Sequence, residues 1–190
     1  MSADQVNGVA PRAAVAPIAT TIENGDEFAA IAGELAKHAG LPTVITADAL
    51  TAMLGGAIPL LFAADAAHDV NLLRGTFAEP VIAQCERNAG CLLGHRPLSA
   101  SVQLIGAPIV DGHPALRAHV TVALEPSDSE PCAERQTWDL APQAKVMVGA
   151  PSCPNCGAPI ADGALICEHC HTDVRSLVTV PLIVSRLEIY

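Results

Sequence analysis

Aromatic side chains are scarce in this sequence: Phe28, Phe62, Phe77, Trp138 and Tyr190 are all that its 190 residues contain. A core filled by Ala, Val, Leu and Ile gains less burial per side chain than one built on rings. Contacts with another subunit or partner are therefore expected to supplement it. Basic residues are scarce as well. Ten Lys and Arg face twenty Asp and Glu, for a formal net charge of -10, and Lys37 and Lys145 are the only lysines. Such a chain repels phosphate backbones, so nucleic acid is not an expected partner. Long hydrophobic runs are missing: the longest uncharged apolar stretch, residues 49–64, contains Gly55, Gly56 and Pro59. It is shorter than the roughly 20 residues that span a bilayer and reads as a buried or interface helix. The first residues offer Asp4 in place of a basic n-region, and Pro11 and Pro17 interrupt the Ala-rich run after it, so no secretory leader is expected. There is no Gly-rich phosphate loop, nucleophile elbow or carboxylate-rich metal motif.

What the sequence does have is cysteine in a telling arrangement. Four of its seven cysteines fall in two CxxC pairs, Cys153-Pro-Asn-Cys156 and Cys167-Glu-His-Cys170, with ten residues between the pairs. Each CxxC turn aims two thiolates at one point, and its backbone amides stabilise the sulfur charge. Four thiolates complete a tetrahedral Zn2+ shell and leave no open position, which makes the metal structural. A segment of some 25 residues has little core of its own, so metal binding supplies its folding energy. Iron is the competing metal, because Cys-Pro-x-Cys-Gly also occurs in rubredoxin knuckles; His171 after the second pair and the short spacing favour zinc. His169 or His171 could replace a thiol as ligand, though four thiols already suffice. Thiols kept for a metal suit a reducing compartment. The expected location is cytoplasmic, or peripheral to the inner face of the membrane.

Periodicity organises the rest. Residues 1–25 read as an extended arm. A first helix is expected with Asp26 as N-cap, Phe28, Ile31 and Leu35 on one face, and Gly40 with Pro42 as its stop. Thr46 caps a second helix through Leu50, Met53 and Leu54 into the Gly55-Gly56 pair, and residues 60–73 read as helix again. Thr76-Phe77-Ala78-Glu79 reads as a capping box, with Pro80 in the first turn, for a helix through Val81, Ile82 and Cys85 that ends near Gly90. The period then changes to two. Leu98, Ala100, Val102 and Leu104 mark one strand and Leu116, Ala118, Val120, Val122 and Leu124 another, with the Asp111-Gly112 turn between them. After an acidic loop at 125–131, a third strand covers residues 134–140 with Trp138, and residues 177–190 are again strand-like. The fold class is α+β, with N-terminal helices packed on one face of a curved antiparallel sheet and a zinc ribbon appended. The divisions are an arm and amphipathic helix (1–42), an α+β domain (43–150), the ribbon (151–175) and a C-terminal strand (176–190).

Several stretches together carry a family likeness. These are Leu72-Leu-Arg-Gly-Thr-Phe-Ala-Glu-Pro80, the Asp111-Gly112 turn, Trp138, Cys153-Pro-Asn-Cys-Gly-Ala-Pro-Ile160, Cys167-Glu-His-Cys170 and Val184-Ser-Arg-Leu-Glu188. Over residues 45–190, and most from Trp138 onward, the chain resembles bacterial proteins similar to the forty-four-kilodalton subunit of the mitochondrial inner-membrane import machinery. That resemblance implies a cone-shaped fold of the nuclear-transport-factor-two-like kind with a hydrophobic cavity. It also implies tethering, membrane association or carriage of apolar ligands in place of catalysis. Two features depart from the family: Asp139, Leu140 and Ala141 stand where aromatic and basic residues usually follow the Trp, and the acidic chain has no basic membrane-facing helix. In general character (an Ala-rich arm, a ribbon tail, Arg over Lys) the chain also looks like a scaffold or stalk subunit that assembles an actinobacterial nickel–iron hydrogenase.

These readings converge on a non-catalytic scaffold or transport protein. It would be a homo-oligomer whose N-terminal arm holds protein partners and whose apolar surface contacts membrane or a lipophilic small molecule. The alternative is a cone-fold enzyme acting on a small apolar substrate, with Asp65, His68 and Asp69 at helical spacing as an acid–base group; the plainer reading of these three is a solvated helix face. Cys85, Cys91 and His95 could form a second metal or redox site, or be core and interface residues. Cys132 reads as a small buried residue, and His113 and His119 as exposed ones.

Overall fold

The computed structural model describes residues 15–41, 44–90, 92, 94–126, 132–143, 147–148, 152–153, 155–160, 166–172, 178–179 and 181–190. Its elements are β1 (Ala19–Ile22), α1 (Gly25–Ala39), α2 (Ala47–Ala67), a 3-10 turn (Val70–Leu73), α3 (Glu79–Arg87), β2 (Pro97–Gly106), β3 (Ile109–Val110), β4 (His113–Pro114), β5 (Leu116–Leu124), β6 (Cys132–Pro142), β7 (Met147–Val148), β8 (Val178–Thr179) and β9 (Leu182–Ile189). The chain is a mixed α+β protein. A five-stranded sheet in the order β1-β2-β5-β6-β9 is antiparallel except where β1 runs parallel to β2.

The alternating pattern sorts the sheet's faces as expected. Leu116, Ala118, Val120, Val122 and Leu124 are all buried, as are Ala100, Val102 and Leu104 opposite them. The register slips between Pro97 and Ser99. This bulge turns Leu98 out to 48% exposure, against the expected alternation. The helices lie against the sheet, α1 on β2 and β5, α2 on β1 and β2, α3 on β9. Asp111 and Gly112 sit at φ 50° and 80°, the pair of positive angles that a tight two-residue hairpin needs, and they join β3 to β4.

Four local expectations need correction. Helix α1 begins at Gly25 with Asn24, not Asp26, as N-cap. The Asn24 side chain is drawn to the sheet, where it donates to the Leu104 carbonyl and accepts from the Leu104 N–H, at 2.8 and 2.9 Å. Thr76 does not cap α3, whose N-cap is Ala78 with no side-chain bond. Glu79 pairs instead with Arg74 at 2.6 Å, and the Thr76 carbonyl accepts from the Val184 N–H. The arm is expected to have no strand period, yet its residues 19–22 are an edge strand of the sheet. Finally, the Gly-Gly pair does not divide α2, which runs unbroken through Gly55, Gly56 and Pro59. Thr46 caps it as expected, accepting from the Ala49 N–H at 3.2 Å.

The reason α2 tolerates these residues is a close approach. Pro59 has no N–H for the carbonyl four residues back. That carbonyl, on Gly55, accepts the Ile18 N–H at 3.0 Å. A Cβ on Gly55 would stand 2.9 Å from the Ile18 oxygen. The Gly and Pro thus form a seat for the segment that leads into β1. Asp48 and Asp65 lie within α2, so at 21 residues it outruns the uncharged stretch, and it is the one described helix long and apolar enough to cross a membrane. Half of its apolar window is buried against the protein.

At the centre of the core, Trp138 is fully buried with its ring centroid 5.7 Å from that of Phe77. Its indole N–H donates to Gln136 Oε1 at 2.7 Å, and Gln136 Nε2 donates to Glu134. Burial pushes the Glu134 carboxyl above its ordinary range, against the pull of that hydrogen bond. On the opposite face Asp139, 1% exposed, takes Arg117 in a two-point pair at 2.7 and 2.8 Å. That hydrogen bond holds the Arg117 guanidinium above its ordinary value.

Candidate metal centre

The ribbon grows out of the sheet. Strands β6 and β9 pair down to Pro142 opposite Leu182, and Gln143 N–H continues the ladder to the Pro181 carbonyl at 2.8 Å. Beyond them β7 and β8 match Met147 to Thr179 and Val148 to Val178. The two cysteine pairs lie between β7 and β8 in the chain. The ribbon therefore takes the place of a hairpin turn between two neighbouring strands, and its C-terminal flank is a strand of the main sheet.

Both CxxC turns are built alike. In the first, Cys153 N–H donates to Ala158 O at 2.7 Å and Gly157 N–H to Cys153 O at 2.8 Å. In the second, Cys167 N–H donates to Thr172 O and His171 N–H to Cys167 O, both at 2.9 Å. Gly157 and His171 hold the same place in their turns and the same left-handed backbone, φ 70° and 57°. Glycine takes that conformation freely and histidine does so under strain.

This geometry brings the Sγ atoms of Cys153, Cys156, Cys167 and Cys170 within 4.8 Å of one another. Cys153 faces Cys170 at 3.6 Å, and Cys156 faces Cys167 at 3.7 Å. These are too long for disulfides, and none of the four is bridged. They match the roughly 3.8 Å edge of a tetrahedron whose centre lies about 2.3 Å from each sulfur, the zinc–thiolate distance. The donor set fits one tetrahedral, thiophilic ion. Cys153 and Cys167 are buried and form a small cluster with Ile160 and Cys170, apart from the main core. His169 and His171 are exposed and belong to no such group.

Two residues that the spacing alone did not reveal support the sulfurs. Asn155 Nδ2 donates to Thr172 Oγ1 at 3.0 Å, which ties one turn to the other. Thr172 Oγ1 lies 3.2 Å from Cys170 Sγ. The Thr172 hydroxyl, then its backbone N–H, draw the Cys170 thiol down to about 5. At Cys156 the Ala158 N–H also pulls downward, but the crowding thiols, Cys170 first, and desolvation prevail and push it up to about 12. A bound dication reverses such crowding, because coordinated thiols are deprotonated outright. A polar residue inside the first CxxC and a Thr two positions past the second were the signals open to a sequence reading.

Of the remaining candidates, Asp65, His68 and Cys85 line one cavity. Asp65 lines this cavity of about 140 Å³ together with Leu61, Leu73, Leu92 and His68. Its carboxylate accepts the Gly90 and Leu92 N–H groups at 2.6 and 3.1 Å. It is thus half-buried and clamps the loop after α3, so it does not lie on a fully solvated helix face. Asp69 accepts from Asn71 N–H at 3.0 Å and caps the 3-10 turn; His68 is exposed and ends α2 in a left-handed conformation. Cys85 and Cys132 are half-buried and pack on the main core. His95 is half-buried, His113 and His119 are exposed, and Cys91 lies outside the described residues. Among the described residues the four ribbon cysteines are the one cluster able to hold an ion.

Comparison with known families agrees with this assignment: residues 152–174 match the zinc-ribbon domain. No curated protein and no solved structure matches the chain.

Proposed function

We propose that this chain is a non-catalytic scaffold whose structural zinc, held by Cys153, Cys156, Cys167 and Cys170, closes the tip of the β6–β9 hairpin. Its N-terminal arm tethers protein partners, and it works as an oligomer that touches a membrane surface or a lipophilic small molecule from the cytoplasmic side. The observation that carries this reading is where the ionisable groups are spent. The four thiols fill a tetrahedral shell, and the carboxylates of Asp65 and Asp69 are engaged by backbone amides. Support for apolar contact comes from α2 and from a groove of about 520 Å³. The groove is lined by Val15, Ile18, Pro59, Phe62 and Leu98, where the arm meets the sheet. The narrowest form of the proposal is a scaffold for a membrane-associated redox enzyme such as a hydrogenase, and it rests on general sequence character.

Native purification with mass spectrometry of partners and bound small molecules tests it. Stable co-purification of protein partners is expected. A lone monomer without partner, lipid or lipophilic molecule would overturn the proposal. A second reading, a cone-fold enzyme for a small apolar substrate, draws on the cavity that Asp65 and His68 line. Turnover of an apolar compound that His68→Ala abolishes would favour it.

A further inference from the structure

The two turns of the ribbon share a backbone plan but treat their outer sulfurs differently. Cys156 and Cys170 are the second thiol of each pair. Two residues past each stand Ala158 and Thr172, whose carbonyls accept the N–H of Cys153 and of Cys167, so the two residues hold matching places in their turns. At Cys170 that residue also brings a hydroxyl, 3.2 Å from the sulfur, and the hydroxyl is itself oriented by Asn155 from the other turn at 3.0 Å. At Cys156 the matching position is Ala158, whose side chain has no donor to offer. Exposure divides the same way: Cys156 is exposed, Cys170 is half-buried, and Cys153 and Cys167 are buried.

We propose that Cys156 is the labile ligand of the metal site and the position at which the ribbon is modified by soft electrophiles, while the Asn155–Thr172 pair fastens Cys170. This inference rests on the reading of the cluster as a metal site. A thiolate that keeps its hydrogen-bond donors is held in place and its charge is partly spread; one with fewer donors dissociates from the ion more readily and meets reagents first. Outer-shell partners of metal ligands commonly change metal affinity 10- to 100-fold, and the two thiols differ by one such partner. Solvent access adds to the difference, because reaction at a buried sulfur requires the turn to open.

The probe is iodoacetamide on the zinc-loaded full chain. The Cys156 sulfur forms its bond to the reagent's methylene carbon, iodide leaves, and the resulting thioether is a poor zinc ligand. Peptide mapping by mass spectrometry tracks each cysteine while a chromogenic chelator reports released zinc. Cys156 is expected to react roughly tenfold faster than Cys170, in step with the loss of one zinc per chain. Thr172→Ala should bring Cys170 close to the Cys156 rate, and Ala158→Ser should slow Cys156 several-fold. Equal rates at the two thiols, or Cys170, Cys153 or Cys167 reacting first in the native chain, would overturn the assignment. A chain that purifies with no metal at all would instead remove the metal-site reading beneath it, so the two failures are distinct. If Thr172→Ala fails to fold, Asn155→Ala reports on the same clamp through the Cys170 rate.

Discussion

The sheet domain and the ribbon occupy one continuous hairpin, yet they are held together by different physics. Around Trp138 the described residues bury a large apolar cluster drawn from three helices and four strands. Among the described residues the ribbon's own cluster holds two buried residues, and both are cysteines of the candidate metal centre. A core of the first kind is spread over many contacts and tolerates the loss of any one at a finite cost. A core of the second kind is concentrated in one ion, and losing a ligand removes nearly all of its stability. A small motif can therefore sit where a turn of a few residues would otherwise be, provided that a metal stands in for the missing apolar surface.

Substitutions in the two regions should accordingly fail in different ways. The largest effect is expected at the centre of the sheet domain. Trp138→Ala empties the space beside Phe77 and leaves the Gln136 oxygen without its indole donor. It should destabilise the domain by about 3–5 kcal/mol, read by chemical denaturation followed in far-UV circular dichroism. A loss below about 1 kcal/mol would show that the sheet does not depend on this residue. Next comes Cys167→Ser. Metal content should fall to zero while the sheet stays folded. The sheet then carries a long open loop between Gln143 and Pro181, which costs roughly 2 kcal/mol by the logarithmic scaling of loop closure. Global unfolding of this variant would make the two regions one cooperative unit.

Two smaller changes sharpen the contrast. His171→Gly relieves a left-handed backbone at the place where the first turn already has Gly157. It should strengthen metal retention by about 0.5–1 kcal/mol, measured by chelator competition. Weaker retention would mean that the histidine side chain contributes more than its backbone costs. In the sheet domain, the half-buried Glu134 has a raised pKa in the folded state. The folded protein therefore disfavours its charged form, a penalty absent below the unfolded-state pKa and fully present above the folded one. Glu134→Gln should remove that penalty, which solvent screening keeps small at this half-exposed site, and so raise stability slightly at neutral pH, with no gain in acid. A gain that persists in acid would point to a different cause.

Sequence periodicity made much of the sheet domain legible. Alternation located β2 and β5, and the Asp111-Gly112 pair located the β3–β4 turn, because each of those signals is local. What stayed hidden was tertiary. Gly55 and Pro59 looked like a helix break because their partner, the Ile18 N–H, lies 37 residues away from Gly55 in the chain. The engagement of Asp65 stayed hidden because the amides it holds belong to the loop beyond α3. The four ribbon cysteines could be grouped from spacing alone, since two CxxC turns bring their sulfurs together almost by themselves. The Asn155–Thr172 tie could not, because it depends on how one turn faces the other.

The central claim is that metal, not apolar burial, holds the ribbon, and that the sheet does not need it. Hydrogen exchange on the native chain before and after chelation, with metal content measured in parallel, tests this most directly. The expected result is one zinc per chain, and loss of protection after chelation at residues 152–172 with protection retained along Leu116–Leu124. Protection of residues 152–172 that survives removal of the metal, or that collapses together with the sheet, would contradict it.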